Sequence, residues 1–374
     1  MGGVGKNTRQ IIILSILTFV LTGIVLLILF FAYPDPPMDN ITKARAALSL
    51  AGEKEAGKYA AGEYSLANTL WDSLMTEWKS QNSLPFFKRD FTHITLLSEQ
   101  IVLHAEYAVL SASTGKETVK IKTEEDLRRI NEVIARFNTE YSKLPLHQPV
   151  WSDISRVKLL CKEAEVTMQR GCFIKASAIL NDCLAIAESC DSLVSVLIED
   201  YFASFPEWEK WITETIRRSR KDQSAAIIVD KFEHKCYLYN KGKIIAEYTA
   251  EFGPNWIGDK NYSGDKATPE GKYFITKKLG QKETIYYKAL LLNYPNEEDI
   301  IRFKEAQKND AIPPGRNIGN LIEIHGNGGK GINWTDGCVA LENNHMDEIF
   351  KFVNVGNPVI IVGSVKPLNA ILIK

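Results

Sequence analysis

From Ile11 to Ala32 the chain reads IIILSILTFVLTGIVLLILFFA, twenty-two residues without a charge. As a helix this run rises ~33 Å and matches a hydrocarbon core of ~30 Å. It predicts a membrane-spanning helix over residues 11–33. A cleaved signal peptide is the competing reading, but its apolar region is usually only ~7–15 residues long, and Phe30-Phe-Ala-Tyr-Pro34 offers no small-x-small cleavage site. Lys6 and Arg9 precede the span while Asp35 and Asp39 follow it. The positive-inside rule then leaves residues 1–10 as a cytoplasmic stub and exports everything beyond the span. The expectation is a single-pass protein of the cytoplasmic (inner) membrane whose work is done in the periplasm or extracytoplasmic space.

Composition narrows what the exported part can be. The whole chain's 45 Lys+Arg are balanced by 46 Asp+Glu, which argues against a nucleic-acid partner. Six cysteines in 374 residues are too few for a disulfide scaffold. After the stiff exit Tyr33-Pro-Asp-Pro-Pro37, residues 40–219 of the helical region 34–219 are rich in Ala, Leu, Glu, Lys and Ser, with most Gly and Pro at breaks near 52–62, 85, 145–149, 171 and 206. That pattern predicts a string of helices. Trp208, Trp211, Ile212, Thr215 and Ile216 lie on one helical face, for example. Ala60-Ala-Gly-Glu-Tyr-Ser-Leu-Ala67 and Arg170-Gly-Cys-Phe-Ile-Lys-Ala-Ser-Ala178 look like turns between paired helices of tetratricopeptide-like repeats, but no regular period carries through. A helical-hairpin spacer, with a protein partner docking on it, is the reading for this region. Of its four cysteines, a hairpin turning near Gly171 would bring Cys161 opposite Cys183; pairing competes there with simple burial as small apolar residues, which also suits Cys172 and Cys190.

Beyond the charged joint Arg217–Gln223 the pattern changes to alternating β-branched and aromatic runs. Strands are predicted at 225–230, 236–239, 243–252, 271–277, 320–325 and 358–362, with Asn240-Lys-Gly242 as a hairpin turn. A helix near the end is expected, capped by Asn343 or Asn344, with Met346, Ile349, Phe350 and Val353 as its apolar face. The apolar tail 364–374 is expected to add an edge strand or pack on the domain. The fold class is therefore multidomain α plus β: a membrane helix, an all-α region, and a β-rich domain over 220–363.

Two cysteines in the β-rich part are candidate nucleophiles. Cys236 alternates within a strand and reads as structural. Cys338 stands in Trp334-Thr-Asp-Gly-Cys-Val339 at the end of a loop, where Gly337 lets backbone approach a substrate. Thirteen residues upstream His325 ends a strand and is followed by Gly326. A thiol needs a nearby base to raise its thiolate fraction, and an imidazole can supply one. Metal binding lacks ligands, since His345 is the only further His nearby and no second Cys lies at C-x₂₋₄-C distance. Gly326-x-Gly-x-x-Gly331 matches a dinucleotide fingerprint formally, but no helix follows it within a βαβ unit. Ser113-Thr-Gly-Lys116 matches the S-x-x-K of penicillin-binding proteins, yet it is placed at a helix end without a K-T-G partner. Nothing in the sequence signals a metal or organic cofactor.

His325-Gly, Thr335-Asp-Gly-Cys338, the Thr268-Pro-Glu-Gly271 turn within 264–274, and Leu292-Asn-Tyr-Pro295 together resemble the L,D-transpeptidase catalytic domain, also called the YkuD domain, over about residues 223–363. The resemblance implies a β-rich sandwich-like fold with Cys338 as nucleophile and His325 as general base. It implies peptidoglycan stem peptides as substrates, a thioester acyl-enzyme, and release to a neighbouring amine or to water. A non-catalytic wall-binding protein is the reading from another class. Backbone N–H groups at Gly337 and Cys338 would stabilise the oxyanion, Gly326 and Thr335 would shape the loop and orient the imidazole, and Asn327 and Trp334 would line the substrate site. Many members have His before Gly-Cys and Arg two positions after the Cys, whereas this chain has Asp336 and Ala340. Asp336 then holds His325, contacts an amine, or caps the loop. Alternation puts Glu323 on the sheet face of His325; Asn327 is equally a turn residue.

Overall fold

The computed structural model describes residues 5–31 and 35–371. Helix α1 (Gly5–Phe31) is long and apolar enough to cross a membrane, and side chains such as Leu14, Phe19 and Leu26 are exposed on it. Residues 32 and 33 of the expected span, and residues 1–4 of the stub, lie outside the described residues. The remainder divides into two compact units, one comprising residues 1–126 and 164–178, the other residues 127–163 and 179–374.

In the first unit α2 (Met38–Glu53), α3 (Ala56–Tyr59) and α4 (Ala61–Ser83) pack with the opening half of α5 (Thr92–Asn138). The buried apolar positions in that half of α5 are Ile94, Leu97, Ile101, Ala105, Ala108 and Ala112, spaced by three and four residues, so one stripe faces the core. The alanines allow close helix contact. Ser113–Lys116 lies inside α5 and not at a helix end, which corrects the sequence reading and leaves it as plain helix surface.

Helices α6 (Gln148–Gln169) and α7 (Phe173–Phe202) form the expected hairpin at Gly171, which takes φ +76°; residues 164–178 around the turn belong to the first unit and the rest of both helices to the second. Cys161 and Cys183 meet across it by a thiol hydrogen bond, and all six cysteines are present as thiols. Arg136 grips Asp191 with Nε to Oδ1 at 2.9 Å and Nη2 to Oδ2 at 2.5 Å, tying α5 to α7. Helix α8 (Phe205–Lys221) absorbs most of the expected joint. Its Trp208, Trp211, Thr215 and Ser219 are buried. The Trp208 ring lies so close to Gly363 that a Cβ there would stand 2.1 Å from Cη2.

The β-rich part forms one eight-stranded sheet. Its strands are β1 (Ala225–Asp230), β2 (Lys235–Asn240), β3 (Lys243–Thr249), β4 (Gly271–Leu279), β5 (Ala289–Leu292), β6 (Glu323–His325), β7 (Val339–Ala340) and β8 (Pro358–Val362), in the order β3-β2-β1-β8-β4-β5-β6-β7. Pairs β1·β8 and β6·β7 are parallel and the rest antiparallel. Glu251, just past β3, pairs with Ala340 of β7, which brings the two ends of the sheet together. The fully buried β1 and β8 are continuous apolar runs, as strands covered on both faces should be.

Several expectations need correction. Strand β5 and helix α9 (Glu297–Lys308) were missed, although Asn296 and Asp299 form a reciprocal capping box that announces the helix. The strand expected at 320–325 shrinks to Glu323–His325 because Leu321 takes φ +58°, which strand backbone does not allow. The strand expected to 252 stops at Thr249. Helix α10 (Asn343–Phe352) has Glu342 at its N-cap with no side-chain cap, while Asn343 Oδ1 accepts from Asn327 N–H at 2.8 Å. The tail forms the short helix α11 (Leu368–Ile371) in place of an edge strand. Residues 372–374 lie outside the described residues.

Candidate active site

The β6·β7 register aligns Ile324 with Val339 and His325 with Ala340. Ile324 and Val339 point into the core, so Glu323, His325 and the preceding Cys338 share the opposite face. Adjacent parallel strands thus carry the imidazole and the thiol.

His325 is fully buried between two rings. Tyr286 stacks on it at 3.5 Å with 7° between planes, and Trp334 meets it edge-on at 5.8 Å. Nδ1 lies 2.6 Å from the Gly326 carbonyl oxygen. A carbonyl only accepts, so Nδ1 carries the proton and Nε2 holds the lone pair. Nε2 is buried without a hydrogen-bond partner, so imidazole and thiol are not bonded to each other in this arrangement. Burial drives the imidazole down to about 4, and the nearby Lys330 ammonium acts the same way.

Cys338 is half-buried, with Sγ 3.7 Å from the Leu321 carbonyl oxygen. Burial pushes its thiol up to about 11. A hydrogen bond from the Glu323 backbone opposes this, the Glu323 and Asp336 carboxylates add to it, and the Lys260 ammonium lowers it. Burial also raises the Glu323 carboxyl.

The loop between them is braced from within. Gly337 takes φ +128°, and a Cβ there would stand 2.8 Å from the Ala267 carbonyl, so only glycine fits. Thr335 Oγ1 donates to the Cys338 carbonyl at 2.7 Å and accepts from Gly337 N–H at 3.3 Å. It therefore staples the cysteine turn. Asp336 does not hold His325, whose Nδ1 is taken by Gly326. Its side chain is exposed and its carbonyl accepts from Lys260 Nζ at 3.4 Å. Asn327 takes φ +64° and serves as a turn residue. Trp334 Nε1 donates to Glu251 Oε2 at 2.8 Å, and Gly331 N–H donates to Glu251 Oε1 at 2.6 Å.

Sequence reasoning missed Tyr286, Glu251 and Lys260. Tyr286 sits in a loop without periodicity, and Lys260 is brought in by a turn. Glu251 alone left a signal, as a carboxylate closing a strand pair. Among the described residues no group of three or more His, Cys, Asp or Glu side chains gathers as a metal set.

A neutral imidazole with its lone pair directed away from a fixed carbonyl, beside a thiol on the same sheet face, defines a thiol–imidazole site suited to acyl transfer. The family described as L,D-transpeptidase catalytic domain, YkuD, matches residues 224–361, which encloses every residue of this site. The C-terminal β-rich part thus carries an L,D-transpeptidase catalytic domain. The putative L,D-transpeptidase YafK of Escherichia coli K12 is 30% identical over 109 residues, 29% of this chain and 35% of that protein. The chain thus spans about a third of the length of the curated relatives it matches. Among solved structures, Bdellovibrio bacteriovorus Bd1075 is 25% identical, with 39% of this chain and 50% of that chain covered at a TM-score of 0.30. An L,D-transpeptidase from Mycobacterium smegmatis is 15% identical, with 37% and 58% covered at a TM-score of 0.23.

Proposed function

We propose that the protein is a membrane-anchored L,D-transpeptidase that joins peptidoglycan stem peptides through a thioester on Cys338. The observation that carries this reading is the Nδ1 bond of His325 to the Gly326 carbonyl, which leaves Nε2 as the base on the face shared with Cys338. In the first half-reaction Nε2 takes the thiol proton as sulfur attacks the donor carbonyl. The carbonyl π electrons move to oxygen, and the Cys338 N–H stabilises that oxyanion, while the Gly337 N–H assigned to it from the sequence is bonded to Thr335 Oγ1 instead. Collapse expels the donor's leaving amine, which takes the proton from the imidazolium, and leaves the thioester. In the second half-reaction an acceptor amine attacks, gives its proton through Nε2 to the departing thiolate, and forms the crosslink. Trp334 and Tyr286 keep the imidazole dry and fixed in plane. Asp336, exposed at the loop, is available to an acceptor amine. Helix α1 would hold the domain on the outer side of the membrane, where the wall lies.

The test uses the full-length chain in detergent micelles with purified stem peptides. Crosslinked dimers should form and Cys338→Ala should abolish them; shortened monomers alone would assign hydrolysis to this site instead. A carbapenem should add its mass to the Cys338 peptide and to no other cysteine peptide, and full activity of Cys338→Ala would remove the cysteine from the mechanism.

A further inference from the structure

Lys260 lies beneath the candidate nucleophile, in the loop before β4. Its side chain is 3% exposed, yet its Nζ finds one strong partner only, Asp265 Oδ1 at 2.7 Å. The carbonyl oxygens of Ala267 and Asp336 are both longer contacts, at 3.4 Å. A Cβ built on Gly337 would stand 3.3 Å from Nζ, so the ammonium sits directly under the Gly337–Cys338 peptide. A buried cation held so loosely by its carbonyls is costly unless anionic charge is gathered near it. Asp265 supplies part of that charge, but its carboxylate is also spent on the backbone N–H groups of Asn261, Tyr262 and Ala267.

We propose that Lys260 is a positioning residue that clamps the Asp336 carbonyl beneath the Gly337–Cys338 peptide and places a positive charge under the thiolate and the oxyanion. The other groups around Cys338 do not supply that charge. Glu323 and Asp336 are acidic, Tyr286 is a phenol, and His325 is buried as a neutral base. This inference rests on Cys338 being the nucleophile.

The test reads the thiol itself, independently of turnover. Iodoacetamide alkylation of the full-length protein in micelles is followed against pH by mass spectrometry of the Cys338 peptide. Lys260→Met should move the alkylation midpoint up by about one pH unit, which slows alkylation about tenfold at any pH below it. Asp265→Asn removes the counter-charge and keeps the ammonium, so it should move the midpoint down. A brace without electrostatic effect would shift both midpoints in the same direction or neither, and either result overturns the proposal. The Asp265→Asn arm decides alone if Lys260→Met does not fold, because an upward or absent shift there contradicts it. If Cys338→Ala keeps its activity, it is the nucleophile assignment that has failed, whatever the alkylation midpoints do.

Discussion

Lys231 has a fully buried side chain, and its ammonium donates to Gly258 O at 2.6 Å, Thr268 O at 2.8 Å and Glu270 Oε1 at 2.8 Å. Tyr201 of α7 donates to the same Glu270 oxygen at 2.8 Å. This cluster pins both ends of the 258–270 loop, the loop that carries Lys260, against the sheet. Replacing Lys231 by Met fills similar volume but leaves the Glu270 carboxylate buried with Tyr201 as its remaining side-chain donor. An uncompensated buried charge of this kind costs about 3–5 kcal/mol, whereas a pair removed together costs far less. Lys231→Met should therefore destabilise the sheet by about 4 kcal/mol, and Lys231→Met with Glu270→Gln by about 2 kcal/mol at most. Hydrogen exchange at the β1 and β4 amides reads the sheet separately from the helical unit. A loss below about 1 kcal/mol in the single variant, or strict additivity in the double, would show that the pair is not the electrostatic unit described.

Gly337→Ala should leave the fold intact but lower turnover about a hundredfold, because the added Cβ meets the Ala267 carbonyl at 2.8 Å and the turn must shift under Cys338; near-normal rates in the peptide assay would refute it. His325 is driven from 6.5 to about 4, so its contribution to stability is present above about 6.5 and is lost as pH falls towards 4. That is about 3 kcal/mol, and the His325→Gln variant should lack this part of the acid slope in urea titrations. The buried Asp230 and Asp259, both raised to about 6, contribute the opposite slope, so the difference between wild type and variant is the quantity to measure. Gly363→Ala forces a methyl against the buried Trp208 ring and should cost about 3 kcal/mol, read as a fall in melting temperature of several degrees.

The parts of this fold that were legible in the sequence are those with a period. Strands β1 and β8 matched to the residue because unbroken β-branched runs bounded by turns leave one reading. The buried face of α8 was likewise visible from two tryptophans three residues apart. Elements shaped by their neighbours were not. Strand β5 is four residues of Ala and Leu, with no alternation to mark it, and it exists because β4 and β6 flank it. The β6 boundary was missed because a left-handed Leu321 has no compositional mark. At the site, His325 and Cys338 could be named because ordered short motifs surround them. Their supports could not: Gly326 offers its carbonyl, and any residue type has one, while the Thr335 bonds to Gly337 and Cys338 depend on the geometry of the turn.

That geometry also constrains when the proton moves. The thiol at about 11 and the imidazole at about 4 lie about 7 pH units apart in the wrong order for a resting thiolate–imidazolium pair. Such a gap corresponds to roughly 10 kcal/mol before the attraction between the two ions is counted. Burial thus favours a neutral resting pair, and in the proposed transfer the ions would form only as sulfur reaches a carbonyl. In that proposed step negative charge would pass from sulfur to oxygen beside the Cys338 peptide. A neutral resting pair resists stray alkylation and oxidation, since the thiolate is the reactive form. It would also make the rate of the proposed transfer depend on what meets the charge as it develops: the Cys338 N–H, Nε2 of His325, and the ammonium proposed at Lys260. On the proposed reading, burial that would disable an isolated thiol would become selective for a bound acyl donor, because the donor's own carbonyl would supply the oxygen on which the charge comes to rest.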